Sequence, residues 1–247
     1  RQRQMCIRDS TYTVLKRLGI DSYMCNKFAA ELKCVVIDCD YRKSPENKFP
    51  AAFEDGEDAV NFVLANPGRF DLRRLSLGGS SAGGLMALSL SMKYKRDVVR
   101  ACFALYPVTV APRLDDIKGC KKAITTKYRS GEVIPPFIFK LFFKGTMSTL
   151  SDLRSPLLNP MLGDVKLLPD HVLLACGDAD TLVHDSEDMM GRIHANGTDN
   201  QRRFSSFMSI PNEAHEFNNF PNACESYEWR DKLYANAMSV IRASWSP

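Results

Sequence analysis

Short runs of apolar residues alternate along the chain with longer stretches in which apolar residues recur at helical spacing. Five runs are predicted to be strands, namely residues 34–38, 74–77, 99–106, 171–176 and, with a less regular alternation, 204–210. Three longer stretches are predicted to be helices, namely residues 21–32 with Asp21 as the cap, 51–64 and 82–95. This rhythm is typical of an α/β fold, in which helices cover both faces of a mostly parallel sheet.

Residues 111–168 interrupt this alternation. They contain five prolines, together with an aromatic stretch at residues 135–143 of sequence PPFIFKLFF. We predict that they form a helical lid inserted over the carboxyl edge of the sheet. The alternative is a longer crossover connection whose aromatic residues face the core. In both cases residues 1–247 are predicted to form a single domain.

A glycine-rich turn joins a predicted strand to the predicted helix at 82–95. Residues 79–83, of sequence GSSAG, fit the Gly-x-Ser-x-Gly elbow, in which small residues on either side of the serine permit a strained turn that exposes the hydroxyl. We predict that Ser81 is a nucleophile, with Gly79 and the N–H of Ala82 beside the oxyanion and the substrate. The alternative is a loop that binds phosphate at the helix N-terminus.

A serine nucleophile needs a base, for which histidine is the usual residue. The chain has four histidines. His171 begins a predicted strand and His194 lies on a polar helix, so both are expected to be structural. His215 lies in the loop after the last predicted strand, where an α/β-hydrolase would carry its base, and His184, close to the acid loop, is its rival.

The base needs a carboxylate that orients it, in the loop after the preceding strand. Residues 173–185 supply that loop, and they offer Asp178, Asp180 and Asp185. With Asp180 the chain order is Ser81, Asp180, His215, which is the Ser…Asp…His order that α/β-hydrolases use.

Five segments carry a resemblance to a known family. They are 40–52 (DYRKSPENKFPAA), 79–84 (GSSAGG), 155–160 (SPLLNP), 180–182 (DTL) and 214–217 (AHEF). Together they resemble the hormone-sensitive-lipase-like (fold-3) branch of the α/β-hydrolases. The resemblance selects Asp180 among the three acids, because the family has Asp-Pro-Leu at that place. It implies hydrolysis of carboxylic esters through an acyl-enzyme, without a cofactor.

The chain departs from the family pattern at three places. Ser80 replaces the usual aspartate of the elbow, and Glu216 replaces the glycine after the histidine. The family's His-Gly-Gly-Gly loop, which supplies oxyanion donors, would fall near residues 11–14, where the sequence is Thr-Tyr-Thr-Val. Residues 1–10 resemble translated adaptor sequence. We therefore predict that they are non-native and that N-terminal strands are missing; the alternative is a genuine basic arm.

The bulk composition narrows the function classes. The net charge of +4, from 33 basic and 29 acidic residues, is too small and scattered to indicate nucleic-acid binding. None of the eight cysteines forms a Cys-x-x-Cys pair, which argues against a metal or redox site and favours a reducing compartment. No signal peptide and no apolar run of about 18 residues is present, so we expect a cytoplasmic protein without stable membrane insertion.

The leading functional prediction is a serine hydrolase that cleaves short to medium acyl or aryl esters with Ser81, Asp180 and His215, and without metal or cofactor. One alternative is a non-catalytic, ligand-binding member of the same fold, which the sequence at residues 11–14 and Glu216 favour. A peptidase or amidase on the same three residues is the other.

Overall fold

The computed structural model describes residues 3–8, 21–109 and 127–245, which contain a parallel sheet. The strands are β1 (Arg3–Arg8), β2 (Cys34–Cys39), β3 (Ser76–Ser80), β4 (Ala101–Leu105), β5 (His171–Gly177) and β6 (Ser206–Ile210). The helices are α1 (Ser22–Leu32), α2 (Ala51–Leu64), α3 (Ala82–Val98), α4 (Pro136–Thr146), α5 (Val183–Asn196), α6 (Asp199–Phe204) and α7 (Cys224–Ala243). The strand order is β2-β1-β3-β4-β5-β6, with every pair parallel.

The central strand β4 shows how the sheet supports a core on each face. All of its residues are buried, and successive side chains point to opposite faces. Phe103 packs in one apolar cluster with Phe28 of α1 and Tyr234 of α7, and the ring centroids of the two phenylalanines are 5.5 Å apart. Cys102 packs in the other cluster with Leu88 of α3. The sheet is therefore sandwiched between helices, which leaves its carboxyl edge free for a site.

The predicted helices agree closely with the structure. Helix α2 has the predicted bounds, and α3 has a non-helical residue at Lys95, where its predicted end lies. Asp21 occupies the N-cap position of α1, as predicted, but its side chain makes no cap hydrogen bond. With φ −88° and ψ 10°, its backbone lies outside the extended region that a capping residue adopts.

Three strands, β3, β4 and β6, begin later than the sequence pattern predicts. Strand β4 begins at Ala101 and not at Val99, because the N–H of Val99 donates to the carbonyl of Lys95 at the end of α3. Arg74, the first residue of the strand predicted at 74–77, belongs to a 3₁₀ turn at Leu72–Arg74, because the Asp71 carboxylate accepts a hydrogen bond from the N–H of Arg73. Phe204 ends α6, so β6 begins only at Ser206. In β3 a local side-chain cap competes with the ladder for backbone groups, and in β4 and β6 the preceding helix does so.

Strand β1 was not among the predicted strands. It pairs with both β2 and β3, so that Met5 is opposite Val36 on one side and Ser76 on the other. It belongs to the stretch 1–10 for which a non-native origin is predicted, and that origin stays a prediction.

The chain between β4 and β5 contains the predicted lid. Residues 110–126 lie outside the described part of the chain. From residue 127 onward the connection holds α4 and three 3₁₀ turns, at Leu150–Arg154, Pro160–Leu162 and Val165–Leu167. Phe143 and Met147, in and directly after α4, are buried in the same apolar cluster as Phe103. That residues 111–168 act as a lid stays a prediction.

Candidate active site

The turn that carries Ser81 has the strained backbone of a nucleophile elbow. Ser81 lies between β3 and α3 with φ 53° and ψ −115°, a positive φ that non-glycine residues rarely adopt. A Cβ on Gly79 would lie 2.6 Å from the carbonyl carbon of Gly83, so the chain crosses itself too closely for any larger residue. The N–H of Ser81 donates to the carbonyl of Leu105, which ties the elbow to the neighbouring strand at 2.8 Å.

A buried chain of hydrogen bonds runs from Ser81 through His215 to Asp180. The Oγ of Ser81 is 3.0 Å from Nε2 of His215, and Nδ1 of His215 is 2.8 Å from Oδ2 of Asp180. An ionised carboxylate only accepts, so Nδ1 donates to Asp180 and Nε2 is left to accept the proton of the serine hydroxyl. Asp180 is fully buried, and the N–H of Leu182 donates to its other oxygen at 2.8 Å.

The three residues meet because their strands end at one edge. Ser81 directly follows β3, Asp180 follows β5, and His215 follows β6. The carboxyl ends of parallel strands lie along one edge of the sheet, so short loops after three strands can converge there. The serine and the histidine are 134 residues apart in sequence, so this contact depends entirely on the sheet.

The rival acids lie in other hydrogen bonds. Oδ1 of Asp178 accepts from the N–H of Asn212 at 2.6 Å, which joins the acid loop to the loop before His215. Oδ2 of Asp185 accepts from the N–H of Thr109 at 3.3 Å. Asp180 is thus the acid whose side chain meets His215.

The other three histidines make contacts outside the chain of hydrogen bonds between Ser81 and Asp180. Nδ1 of the partly exposed His184 lies 3.0 Å from the carboxylate of Glu187 on the same helix. The other two histidines have the structural surroundings expected of them, with His171 stacked on Phe204 and His194 3.3 Å from the carbonyl of Ser205.

Comparison with known proteins places this geometry in a family. The family described as having the alpha/beta hydrolase fold matches residues 12–218. The chain belongs to the α/β-hydrolases. It falls in their hormone-sensitive-lipase-like (fold-3) branch, as the five sequence segments indicate.

Individual relatives cover the chain to different extents. The ethyl acetate hydrolase of Pseudomonas putida is 26% identical over 207 residues, which are 81% of this chain and 61% of that protein. The gibberellin receptor GID1 of Oryza sativa subsp. japonica is 31% identical over 83 residues, 32% of this chain and 23% of the receptor. The chain therefore spans less than two thirds of the length of these curated relatives.

Solved structures extend the likeness to the whole chain. The thermostable carboxylesterase EstE1, cloned from a metagenomic library, has a TM-score of 0.84 and 21% identity, covering 100% of this chain and 81% of that one. At this identity the likeness establishes the α/β-hydrolase fold.

Two of the departures from the α/β-hydrolase pattern have described surroundings. Ser80, where the branch has aspartate, donates to Oδ1 of Asp21 at 3.5 Å, and the same oxygen accepts from Nδ2 of Asn219 at 3.2 Å. A buried carboxylate therefore stands beside the elbow, but it belongs to Asp21, the residue before α1. Glu216 is 6% exposed with φ 62°, so the loop accommodates it with its backbone in the left-handed region that glycine favours.

The sequence pattern did not identify the ring that packs against His215. Tyr106, directly after β4, lies edge-on to the imidazole with 4.6 Å between the ring centroids. Its hydroxyl donates to Oδ1 of Asn218 at 2.8 Å, and Nδ2 of Asn218 donates to the hydroxyl of Tyr234 at 3.0 Å. Burial raises the pKa of Tyr106 well above its usual value, so the hydroxyl keeps its proton and remains a donor. Neither tyrosine lies in a motif that could have indicated this.

Of the two places where an α/β-hydrolase is expected to hold oxyanion donors, the elbow lies in the described residues. Ala82 is the first residue of α3, so its N–H is one of those without a carbonyl partner inside the helix. It adjoins Ser81 as the elbow motif predicts. Residues 11–14, where the sequence places Thr-Tyr-Thr-Val, lie outside the described residues.

The described residues 3–8, 21–109 and 127–245 contain neither a cluster of metal ligands nor a helix that could span a membrane. Among them no group of three or more His, Cys, Asp or Glu side chains is arranged to hold a metal ion. In the same part of the chain, no helix is both long and apolar enough to cross a membrane.

Proposed function

We propose that the chain is a carboxylic-ester hydrolase that uses Ser81, His215 and Asp180 as a catalytic triad. The observation that carries the proposal is the buried hydrogen-bond chain between these side chains, with contacts of 3.0 and 2.8 Å. The strained φ of Ser81 supports it, because backbone strain of this kind persists where the surrounding fold enforces it and clusters at active sites. Membership of the α/β-hydrolases and the similarity to the Pseudomonas enzyme named ethyl acetate hydrolase agree with this assignment.

In the proposed reaction His215 takes the proton of Ser81 through Nε2 as Oγ attacks the ester carbonyl. The imidazolium is stabilised by the Asp180 carboxylate at Nδ1, and it returns the proton to the leaving alcohol as the acyl-enzyme forms. Water then repeats the attack on the acyl-enzyme with His215 again as base, releasing the carboxylic acid and free Ser81. The N–H of Ala82 is proposed to donate to the oxyanion in both steps.

The proposed substrates are esters with short to medium acyl or aryl groups. Ala82, beside the nucleophile, belongs to the same apolar cluster as Phe143, Met147 and Phe217. An apolar environment favours acyl and aryl groups over charged ones, because burying an unpaired charge is costly.

A fluorophosphonate probe tests this proposal directly. We expect stoichiometric labelling of Ser81 in the wild-type chain and none in Ser81→Ala, followed by turnover of p-nitrophenyl esters with a maximum at short to medium chain length. A folded wild-type chain that is not labelled would overturn the proposed function. Turnover of p-nitroanilides in preference to the esters would favour an amidase.

Ligand binding without turnover is a second candidate. It is favoured by the 31% identity to a protein named as a gibberellin receptor, and by the absence of glycine at residues 11–14. It requires that the chain bind small esters or acids reversibly while Ser81 stays unlabelled. Thermal shift with p-nitrophenyl esters and their acids, measured alongside the probe, separates the two candidates.

A further inference from the structure

A short segment before α4 is joined to the loop that carries His215. Four backbone hydrogen bonds connect residues 129–132 with residues 212–215. They are Arg129 N–H to Asn212 O (2.7 Å), Ala214 N–H to Ser130 O (2.9 Å), Glu132 N–H to His215 O (2.9 Å) and His215 N–H to Glu132 O (3.0 Å). The pairing is an antiparallel bridge, and His215 contributes both of its backbone groups to it. The base is therefore held by its main chain as well as by its ring.

The same segment reaches the loop of the proposed acid. The hydroxyl of Thr181, next to Asp180, donates to the carbonyl of Ile134 at 2.8 Å. Thr181 is 5% exposed, so water is poorly placed to replace this bond. The fold-3 pattern has proline at this position, and proline has no hydroxyl. Residues 129–134, here called the bridging segment, thus contact the loops of both His215 and Asp180.

The bridging segment fits against His215 without spare room. Gly131 has a φ of 86°, and a Cβ added there would lie 2.3 Å from the carbonyl oxygen of His215. An ordinary contact requires about 1 Å more, so either the segment or the His215 backbone would have to move. The nearest atoms to that Cβ belong to the main chain of His215 and Ala214, so none of them can rotate away as a side chain could.

Buried side chains fix the segment in place. Oε1 of Glu213 accepts from the hydroxyl of Ser226 at 2.7 Å and lies 3.5 Å from the guanidinium of Arg129. The hydroxyl of Ser130 donates to the hydroxyl of Ser226 at 2.5 Å and accepts from the N–H of Asn222 at 3.1 Å. Ser130, Glu213 and Ser226 are all fully buried. Breaking the hydrogen bonds among them would leave polar groups unpaired away from water, which costs free energy.

We propose that the bridging segment is a positioning element that sets the distance and angle of His215 relative to Ser81 and Asp180. The proposal rests on the proposed function, because it concerns the geometry of that triad. None of its residues has to touch the substrate, so its loss should reduce the rate of the chemical step and leave substrate binding unaltered. Its contact through Thr181 needs a hydroxyl, which the proline of the fold-3 pattern does not have.

The variant Gly131→Ala tests the proposal, with Gly145→Ala of α4 as the matched control. A Cβ at Gly145 meets no atom within 4 Å. A displacement of about 1 Å in a catalytic group can cost about 100-fold in rate. We expect Gly131→Ala to lower kcat for p-nitrophenyl acetate at least tenfold, with KM within twofold of wild type. Gly145→Ala should keep both constants within twofold.

A second variant covers the case in which Gly131→Ala does not fold. Thr181→Val keeps the shape of the side chain and removes the hydroxyl. We expect kcat to fall about two- to tenfold, the range of one ordinary hydrogen bond, with KM unchanged. Wild-type kcat in a folded Gly131→Ala would overturn the proposal. If Gly131→Ala does not fold, wild-type kcat in Thr181→Val would overturn it.

A spectroscopic readout keeps this test separate from that of the proposed function. The Nδ1 proton that His215 shares with buried Asp180 should give a low-field proton NMR resonance, whether or not Ser81 turns over substrate. We expect the resonance in wild type and Gly145→Ala, and its loss or broadening in Gly131→Ala and Thr181→Val. If Ser81 is not labelled but the resonances follow this pattern, the proposed ester hydrolysis is refuted and the positioning role is not. A labelled Ser81 with the resonance intact in all four proteins would refute only the positioning role.

Discussion

Replacing Asp180 by asparagine should abolish turnover while preserving the fold. The two oxygens of Asp180 have different partners, since Oδ1 accepts from the N–H of Leu182 and Oδ2 from His215, both at 2.8 Å. An asparagine has only one oxygen. Turning its amide nitrogen toward Leu182 would place two donors against each other in a fully buried site. The favoured orientation therefore presents the amide N–H₂ to His215.

This orientation lowers the catalytic rate because it reverses the tautomer of His215. If Nδ1 of His215 must accept from the asparagine, its proton moves to Nε2, the atom that faces Ser81 at 3.0 Å. A protonated Nε2 cannot take the serine proton. In a serine protease triad this change lowers kcat about 10⁴-fold. We expect a loss of the same order in kcat, which corresponds to about 5 kcal/mol in the activation free energy.

The assay is p-nitrophenyl acetate hydrolysis by Asp180→Asn beside Asp178→Asn and Asp185→Asn. Thermal unfolding of each variant shows whether the fold is retained. Asp178 and Asp185 accept from backbone N–H groups of Asn212 and Thr109, so their variants should lose less than about tenfold. A larger loss at Asp185 than at Asp180, or less than a tenfold loss at Asp180, would refute the assignment of the acid.

Three further predictions concern the elbow, the buried carboxylate of Glu213 and the thiols. Gly79→Ala should destabilise the chain by about 1–3 kcal/mol, because its Cβ would lie 2.6 Å from backbone in α3; Gly191→Ala, with open space, should be neutral or stabilising in urea unfolding. Burial raises the pKa of Glu213 above 4.5, so the wild type loses stability as the pH rises from about 4.5 to that raised pKa. Glu213→Gln, which does not ionise, should therefore gain stability relative to wild type over the same interval. Burial raises the pKa of Cys102 to about 12, so exposed Cys224 should react first with a disulfide reagent in the native protein.

Each of these has an outcome that contradicts it. Equal unfolding free energies of Gly79→Ala and Gly191→Ala would show that the elbow tolerates a side chain. A stability difference for Glu213→Gln that shrinks as the pH rises would reverse the sign of the burial effect. Modification of Cys102 as fast as Cys224 in the native protein, mapped by peptide mass, would show that the core opens around β4.

The sequence predicted the layered fold because burial and periodicity are local properties. The run at 171–176 and the helix at 51–64 needed only the apolar pattern. The strand predicted at 74–77 was misplaced, because the cap of Asp71 holds the start of that run in a 3₁₀ turn. Strand β1 lies between two strands that are far from it in the chain, and no local pattern indicated it.

The sequence by itself determined that Ser81 lies on an elbow, since glycine and serine at that spacing specify the local turn. It also narrowed the acid and the base to a few residues after two strands. Only the tertiary structure decided that His215 meets both Asp180 and Ser81. These contacts join residues 35 and 134 positions apart, so they depend on the pairing of strands in the sheet. The bridging segment shows the same limit, since the need for glycine at 131 arises from the carbonyl of a residue 84 positions later.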